Sequence, residues 1–296
     1  MEKYNYSIII PHKNAPELLF RCVTSIPSRE DIQIIVVDDN SDEGIVDWNR
    51  FTSDKSKNIE LVLTKEGKGA GYARNVGLKH AKGKWILFAD CDDYYYNGFL
   101  SVLDKYSQGD YEVVYYSYSI KVGDMDNTPK TYNELLSKLN ESPNEDVEQL
   151  LKYGLRAPWN KIVRKTFIEK YKIHFEESIN GNDLFYSYQV GYFSKKIGIE
   201  LSPLYHYTIN PFSLTHKKRS KKDYICILEH AYKSQKFFEF INCTKLQKSP
   251  NRVFLSTLQK KGFLTFLQVL KVFFANRKSI VSSKNDFVNY FQSFVF

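Results

Sequence analysis

The 296-residue chain has little of what staples or anchors a protein: 4 cysteines, 9 prolines, 14 glycines and 2 methionines. Cys22, Cys91, Cys226 and Cys243 are scattered without paired metal-ligand spacing, which argues against a disulfide framework or a structural zinc site and for reduced thiols. Long apolar runs are missing as well. Residues 6–10 (YSIII) are too short for a signal-peptide core and far too short to span a bilayer, so the expectation is a cytoplasmic protein. No internal repeat or low-complexity tract is visible, which leaves repeat architectures without support. What the chain does have is 43% apolar residues, enough for a proper core and against dominant disorder.

Charge is unevenly placed. Residues 217–296 hold 16 Lys and Arg against 4 Asp and Glu, a net of +12, while the preceding 216 residues hold 26 and 30, a net of −4. A basic segment of this kind suits nucleic acid, anionic lipid or an acidic partner, and charge alone does not choose among them.

Short, β-branched, almost wholly apolar runs at 7–10 and 33–37 have the pattern of parallel strands buried on both faces. Between them Leu18, Leu19, Cys22, Val23 and Ile26 repeat at helical spacing behind Pro16. The βαβ unit recurs, with a strand at 59–63, a helix at 70–81 and a strand at 85–89 that ends at Asp90. This predicts an α/β fold with an open, mostly parallel sheet flanked by helices. A further strand is expected at 111–118, a loop with a short helix at 121–143, and helices at 224–241 and 263–274.

In open α/β sheets ligands bind beyond the carboxyl ends of the strands. Those ends carry His12, Lys13 and Asn14 after Pro11, then Asp38 and Asp39, then Asp90, Asp92 and Asp93, so five carboxylates gather at one edge. Such crowding is repulsive unless a cation or hydrogen-bond donors sit among the acids. An Asp-x-Asp at a strand end suits Mg2+ or Mn2+ bridged to substrate phosphates, and the plainer alternative is a pair of Asp-rich turns capping helices. Between the clusters, residues 67–75 (GKGAGYARN) open a helix with a glycine-rich turn. Its amides suit a phosphate, with Arg74 as a forked donor, or its glycines serve close helix packing. A dinucleotide fingerprint fits poorly, because the turn follows the third strand and lacks the final glycine.

Taken in order, the strand running into Pro11, then 36–42 (VVDDNSD), 73–78 (ARNVGL) and 81–93 (AKGKWILFADCDD) resemble the family 2 glycosyltransferases with the GT-A fold. The resemblance covers most of residues 6–100 and implies a metal-dependent transferase that uses a nucleotide-sugar, UDP-sugars foremost. It further implies a catalytic domain over 1–216, with a donor half to about 118 and an acceptor half from about 119, and a basic, aromatic, helical extension over 217–296. By the same resemblance Asp39, with Asp38 and Pro11, would line the base pocket, and Gly69 and Arg74 would lie by the donor phosphates. Asp90 would approach the ribose or sugar, Asp92 would hold Mn2+ or Mg2+, and Asp93 would be a further acid there. Trp159, Lys161 and Asn182 look like the acceptor-side segment, in which Asn182 stands where the family has a glutamate, and the proton-accepting aspartate maps to Asp183. His216 would lie near the diphosphate.

The chemistry suits these roles. A carboxylate within reach of an acceptor hydroxyl can take its proton as the bond to the anomeric carbon forms, while cations on the far side stabilise the departing diphosphate. Acting alone, Asp183 would equally serve as a first-turn helix charge. Two other readings are a nucleotidyltransferase that makes the sugar nucleotide and a non-catalytic nucleotide-sugar-binding scaffold. The acidic context and Asp183 favour transfer, and the absence of single-strand-binding signatures argues against nucleic acid. The acceptor implied is a glycan or a lipid-linked sugar in surface-polysaccharide synthesis.

Residues 263–274 (FLTFLQVLKVFF) are too short to span a bilayer yet suit an interfacial helix, which beside 217–222 (KKRSKK) would hold the chain to the inner membrane face. The alternatives are packing on the catalytic domain or against a second copy in a homodimer. The membrane reading predicts cosedimentation with anionic liposomes that weakens as salt rises, and no binding at low salt would sink it.

Overall fold

The computed structural model describes residues 3–53, 56–122, 125–178, 180–209, 220–246, 266–267, 269–271 and 274. The chain divides into two compact units, Met1–Glu177 with Asn182–Pro211, and Ser178–Gly181 with Phe212–Phe296.

The first unit begins with the expected alternation: β1 (Tyr6–His12), α1 (Pro16–Ser25), β2 (Ile32–Asp39), α2 (Asn49–Thr52), β3 (Ile59–Thr64), α3 (Ala70–His80) and β4 (Trp85–Phe88). Every residue of β1, β2 and β4 is buried, which is why their sequences are continuous apolar runs and show no alternation. Each of Ile8, Ile9 and Ile10 is fully enclosed, and such side chains contribute about 1.5–3 kcal/mol apiece. The strands pair in parallel in the order β3-β2-β1-β4, with Ile10 opposite Val36, His12 opposite Asp38 and Asp39 opposite Thr64. All four therefore deliver their carboxyl ends to one edge. Helix α3 lies close on this sheet, since a Cβ added at Gly77 would stand 2.4 Å from Ile9 Cγ2. Only glycine allows that approach.

From there the chain continues through β5 (Tyr94–Tyr95), α4 (Phe99–Ser107), β6 (Val113–Val122), β7 (Met125–Asn127), α5 (Lys130–Glu141), α6 (Glu145–Gly154), β8 (Lys161–Arg164), α7 (Lys165–Lys170), α8 (Asp183–Phe193) and β9 (Ile197–Thr208). Among the described residues nine strands form one sheet, in the order β3-β2-β1-β4-β8-β6-β9-β5 with β7 on β6. The expected parallel character holds for the first half. β8 enters between β4 and β6 and runs against both, and β5 and β7 also pair antiparallel, whereas β9 runs parallel to β6. The short helix expected within 121–143 is present as α5, and the end of β6 and β7 occupy part of the expected loop. The 12-residue α5 buries Tyr132, Leu136 and Leu139 at helical spacing, a stripe hidden in the sequence by the polar residues around it.

In the second unit α9 (Lys221–Phe240) starts at a capping box in which Ser220 and Asp223 bond each other's backbone N–H, and Tyr224, Leu228 and Val269 form a small apolar cluster. Asn180 Nδ2 donates to Asp223 Oδ1 at 2.7 Å. Most of the helix expected at 263–274 lies outside the described residues. Among the described residues no helix is long and apolar enough to cross a membrane.

Candidate active site

The acids at the end of β2 differ sharply in their surroundings. Asp38, 4% exposed, accepts from His12 Nδ1 at 2.8 Å, from the Ser41 N–H at 2.8 Å and from Ser41 Oγ at 2.5 Å. His12 Nε2 accepts the Ala15 N–H at 3.0 Å, which assigns the ring proton to Nδ1. Burial works to raise the Asp38 carboxyl, yet the bonds from His12 and Ser41 outweigh it and hold it below its usual value. Asp39 turns the other way, and its two oxygens accept the amides of Lys68 at 2.9 Å and Gly69 at 2.7 Å. The glycine-rich turn, with φ of 60° at Gly67 and 93° at Gly69, is thus tied to β2 by a carboxylate. Its Lys68 and Gly69 amides, expected to face a phosphate, serve Asp39 in this structure. Pro11 lies buried on β1 opposite Val37.

Beyond β4 the acids are equally distinct. Asp90 Oδ1 pairs with Arg74 at 2.5 Å, and the other arm of the same guanidinium donates to Asn182 Oδ1 at 2.7 Å. Arg74 is 5% exposed, lies over the Phe175 ring at 5.3 Å, and has a buried Nε with no partner. Asp93, 1% exposed, accepts from Tyr205 Oη at 2.9 Å and the Thr208 N–H at 2.7 Å. The Tyr205 hydroxyl in turn accepts the Asp90 N–H at 2.9 Å, so one phenol fixes both ends of the Asp90–Asp93 turn. Burial first, then Asp90 and Asp92, push the Asp93 carboxyl well above its usual value. Asp92 is half-exposed, and its backbone carbonyl accepts from Arg21, which also reaches Thr208 Oγ1 at 3.3 Å. Burial pushes the Cys91 thiol up, away from the thiolate that reacts.

Among the described residues no group of three or more His, Cys, Asp or Glu side chains could enclose a metal ion. With Asp90 bound to Arg74 and Asp93 to Tyr205 and Thr208, an all-protein cage does not fit. Mg2+ and Mn2+ in many phosphate sites take only one or two carboxylates beside the phosphates themselves, and for such a cation the half-exposed Asp92 would be the protein ligand.

In the segment expected to face the acceptor, Asp183 opens α8 directly after Asn182 and is half-buried. Burial raises its carboxyl, with Arg74 opposing and Asp90 adding to the rise. Arg74 therefore brings together Asp90 and Asn182, and through Asn182 the start of α8 that carries Asp183. Trp159, 6% exposed, stacks on Tyr205, and Lys161 is fully buried on β8. His216 lies outside the described residues. Sequence reasoning gave no role to Tyr205 or Arg21. Tyr205 sits in a noticeably aromatic run, and nothing local marks Arg21.

Residues 7–172 match the family model described as Glycosyl transferase family 2. The chain is similar to the putative glycosyltransferase EpsH of Bacillus subtilis (strain 168), 26% identical over 229 residues, and spans 75% of its own length and 65% of that protein's. It is also similar to the poly(ribitol-phosphate) beta-N-acetylglucosaminyltransferase TarP of Staphylococcus aureus (strain N315), 25% identical over 238 residues, covering 77% of this chain and 71% of that one. Among solved structures, S. aureus TarS 1-349 in complex with UDP-GlcNAc superposes with a TM-score of 0.64 at 18% identity, over 90% of this chain and 81% of that one. That likeness is one of fold, and the fold it identifies is GT-A.

The buried Lys161 amine bonds the Ala157 carbonyl and, at 2.7 Å, Asn160 Oδ1. Burial pulls its pKa down to about 7, with Asp183 opposing. An unfolded lysine titrates near 10.4, so between about pH 7 and 10 the unfolded chain holds a proton the folded chain lacks, and stability rises with pH by up to about 1.4 kcal/mol per unit. Below about 7 both states are protonated and this contribution is flat. Urea denaturation of Lys161→Met at pH 7 and 9 is expected to show that rise removed; a rise equal to that of the wild type would mean that the folded amine stays charged.

Proposed function

Because the chain belongs to glycosyltransferase family 2, we propose that it moves a sugar from a UDP-sugar to a hydroxyl of a glycan or lipid-linked acceptor in polysaccharide synthesis, inverting the anomeric centre. The uridine donor is supported by the fold neighbour TarS, solved in complex with UDP-GlcNAc, and transfer to a hydroxyl of a cell-surface-type polymer by TarP, whose name is that of a sugar transferase to poly(ribitol-phosphate). The observation that carries the reading is the Arg74 fork, with Asp90 on one arm and Asn182, the residue before Asp183, on the other. A donor-side acid and the start of the acceptor-side helix are thereby held on one cation.

In the proposed reaction the acceptor oxygen attacks the anomeric carbon as Asp183 takes its proton, and the bond to the diphosphate breaks on the opposite face. Burial that raises the Asp183 carboxyl also makes it a stronger base, provided that it is ionised before substrate arrives. Arg74 meets the charge growing on the leaving group with a guanidinium already fixed in place, so little reorganisation is needed. Asp92 would hold a divalent cation, which would supply further charge neutralisation on the diphosphate. Asp39 retains a lone pair on each oxygen beyond those taken by Lys68 and Gly69, enough to accept a uracil N–H. Asp38, held by His12 and Ser41, shapes that pocket, and Pro11 forms part of its floor. Asp93 keeps Tyr205 and the end of β9 in register with Asp92.

Two substitutions separate the halves of this reading. Asp183→Asn is expected to lower kcat by about 10^2- to 10^4-fold while UDP affinity by calorimetry holds, and to abolish a wild-type acid limb lying above the ordinary carboxylate range; undiminished turnover would remove Asp183 as the base. Asp92→Asn is expected to weaken UDP binding in Mn2+ and to make it indifferent to chelator. Wild-type transfer that survives chelation unchanged would contradict the cation.

A further inference from the structure

Strand β9 turns Tyr205 and Tyr207 to the same side, and both rings lie nearly parallel to the Trp159 indole. The centroid distances are 4.8 Å and 5.6 Å, with interplanar angles of 10° and 18°. Tyr118 of β6 meets the same indole edge-on at 4.8 Å and 73°. Three of these four rings are buried: Tyr205 is 0% exposed, Trp159 6% and Tyr118 8%. Tyr207 alone of the four is half-buried and forms the open end of the stack.

Its position along the strand matters as much as its exposure. Tyr205, two residues before it, and Thr208, directly after it, both bond Asp93. Burial and then the charges of Asp93, Asp92 and Asp90 raise the Tyr207 hydroxyl, as a phenol close to all three acids requires. An aromatic face, rigidly backed, thus lies beside the carboxylates of the transfer site. The roles proposed above leave it unused, since base, diphosphate and proton fall to other residues.

A neutral ring next to three acids does not recruit phosphate. It suits a ligand with an apolar face and a hydroxylated rim: the C–H groups of a pyranose meet the electron-rich ring, and its hydroxyls meet the acceptor oxygens around it. We propose that Tyr207, backed by Trp159 and Tyr205, is a stacking platform for a pyranose ring at the transfer site. The proposal rests on the glycosyl-transfer reading and adds to it the residue on which a ring sugar would lie. The pyranose is either the one being transferred or the acceptor residue, and kinetics tell the two apart.

The test is steady-state kinetics of the full chain with Tyr207→Leu and Tyr207→Phe, beside thermal unfolding. Tyr207→Leu keeps apolar bulk without the ring and is expected to raise one sugar-substrate KM by about 5- to 10-fold. Tyr207→Phe is expected to rescue it, with unfolding midpoints alike. A rise in donor KM at constant UDP affinity assigns the platform to the transferred sugar, and a rise in acceptor KM assigns it to the acceptor. Unchanged KM values in Tyr207→Leu, or equal losses in both variants, overturn the platform while leaving glycosyl transfer standing. A wild-type chain that turns over no sugar nucleotide overturns the functional reading instead. The platform is then decided by saturation-transfer NMR with UDP-GlcNAc and methyl β-glucoside. Saturation of the sugar ring protons that disappears in Tyr207→Leu supports it, and saturation equal to that of the wild type overturns it.

Discussion

The buried guanidinium of Arg74 is the constraint on which the rest of the site depends. A cation withdrawn from water costs several kcal/mol unless it is paired and hydrogen-bonded, and Asp90 and Asn182 supply the charge and the bond while Phe175 supplies a ring face. Three elements converge on it: α3, the turn after β4 and the start of α8. They can do so because α3 is unusually thin at two points. A Cβ at Gly71 would fall 2.2 Å from the Glu176 carbonyl and 2.8 Å from Asn182 Cβ, and one at Gly77 would press into Ile9. Of the glycines in the 67–71 turn, Gly71 thus allows close packing while Gly67 and Gly69 take left-handed φ angles, and the close packing at Gly71 lets Arg74 reach its partners.

The same economy governs the acids. Five carboxylates at one sheet edge would repel one another if all were solvated alike and equally charged. The chain instead sets them in different surroundings: His12 and Ser41 bond Asp38, backbone amides Asp39, Arg74 Asp90, and Tyr205 with Thr208 Asp93. The last is also the most enclosed, and burial with Asp90 and Asp92 beside it holds its carboxyl well above its usual value. Asp92 stands half-exposed on a turn whose carbonyl is pinned by Arg21. The acids at this edge thus form a framework whose own bonds fix the backbone around it.

Much of the first half of the fold was legible because its strands are buried on both faces, which forces continuous β-branched runs such as those of β1 and β2. Less regular elements escaped for physical reasons. The strand β8 has only four residues and begins with Lys161, a lysine that sequence patterning assigns to solvent and packing encloses completely. Helix α5 was legible only as a short helix of unstated place within 121–143, because its three buried residues lie in a polar segment. For the candidate site, the acids after β2 and β4 were visible beyond strand ends and Arg74 in a glycine-rich helix start, Asn182 and Asp183 came through the family resemblance, and the bonds of Tyr205 and Arg21 were hidden because they run to partners 115 and 71 residues away.

By itself, then, the sequence determined which strands are buried, that their carboxyl ends share an edge, and that this edge is acidic. Periodicity and residue type carry that information locally. Only the tertiary structure decided that Asp38 and Asp39, neighbours of one kind, take a histidine and a pair of amides respectively, and that Arg74 spans to Asn182 across 108 positions. Those pairings follow from distances of a few ångströms between elements far apart in the chain, and such distances exist only once the helices and the sheet have packed.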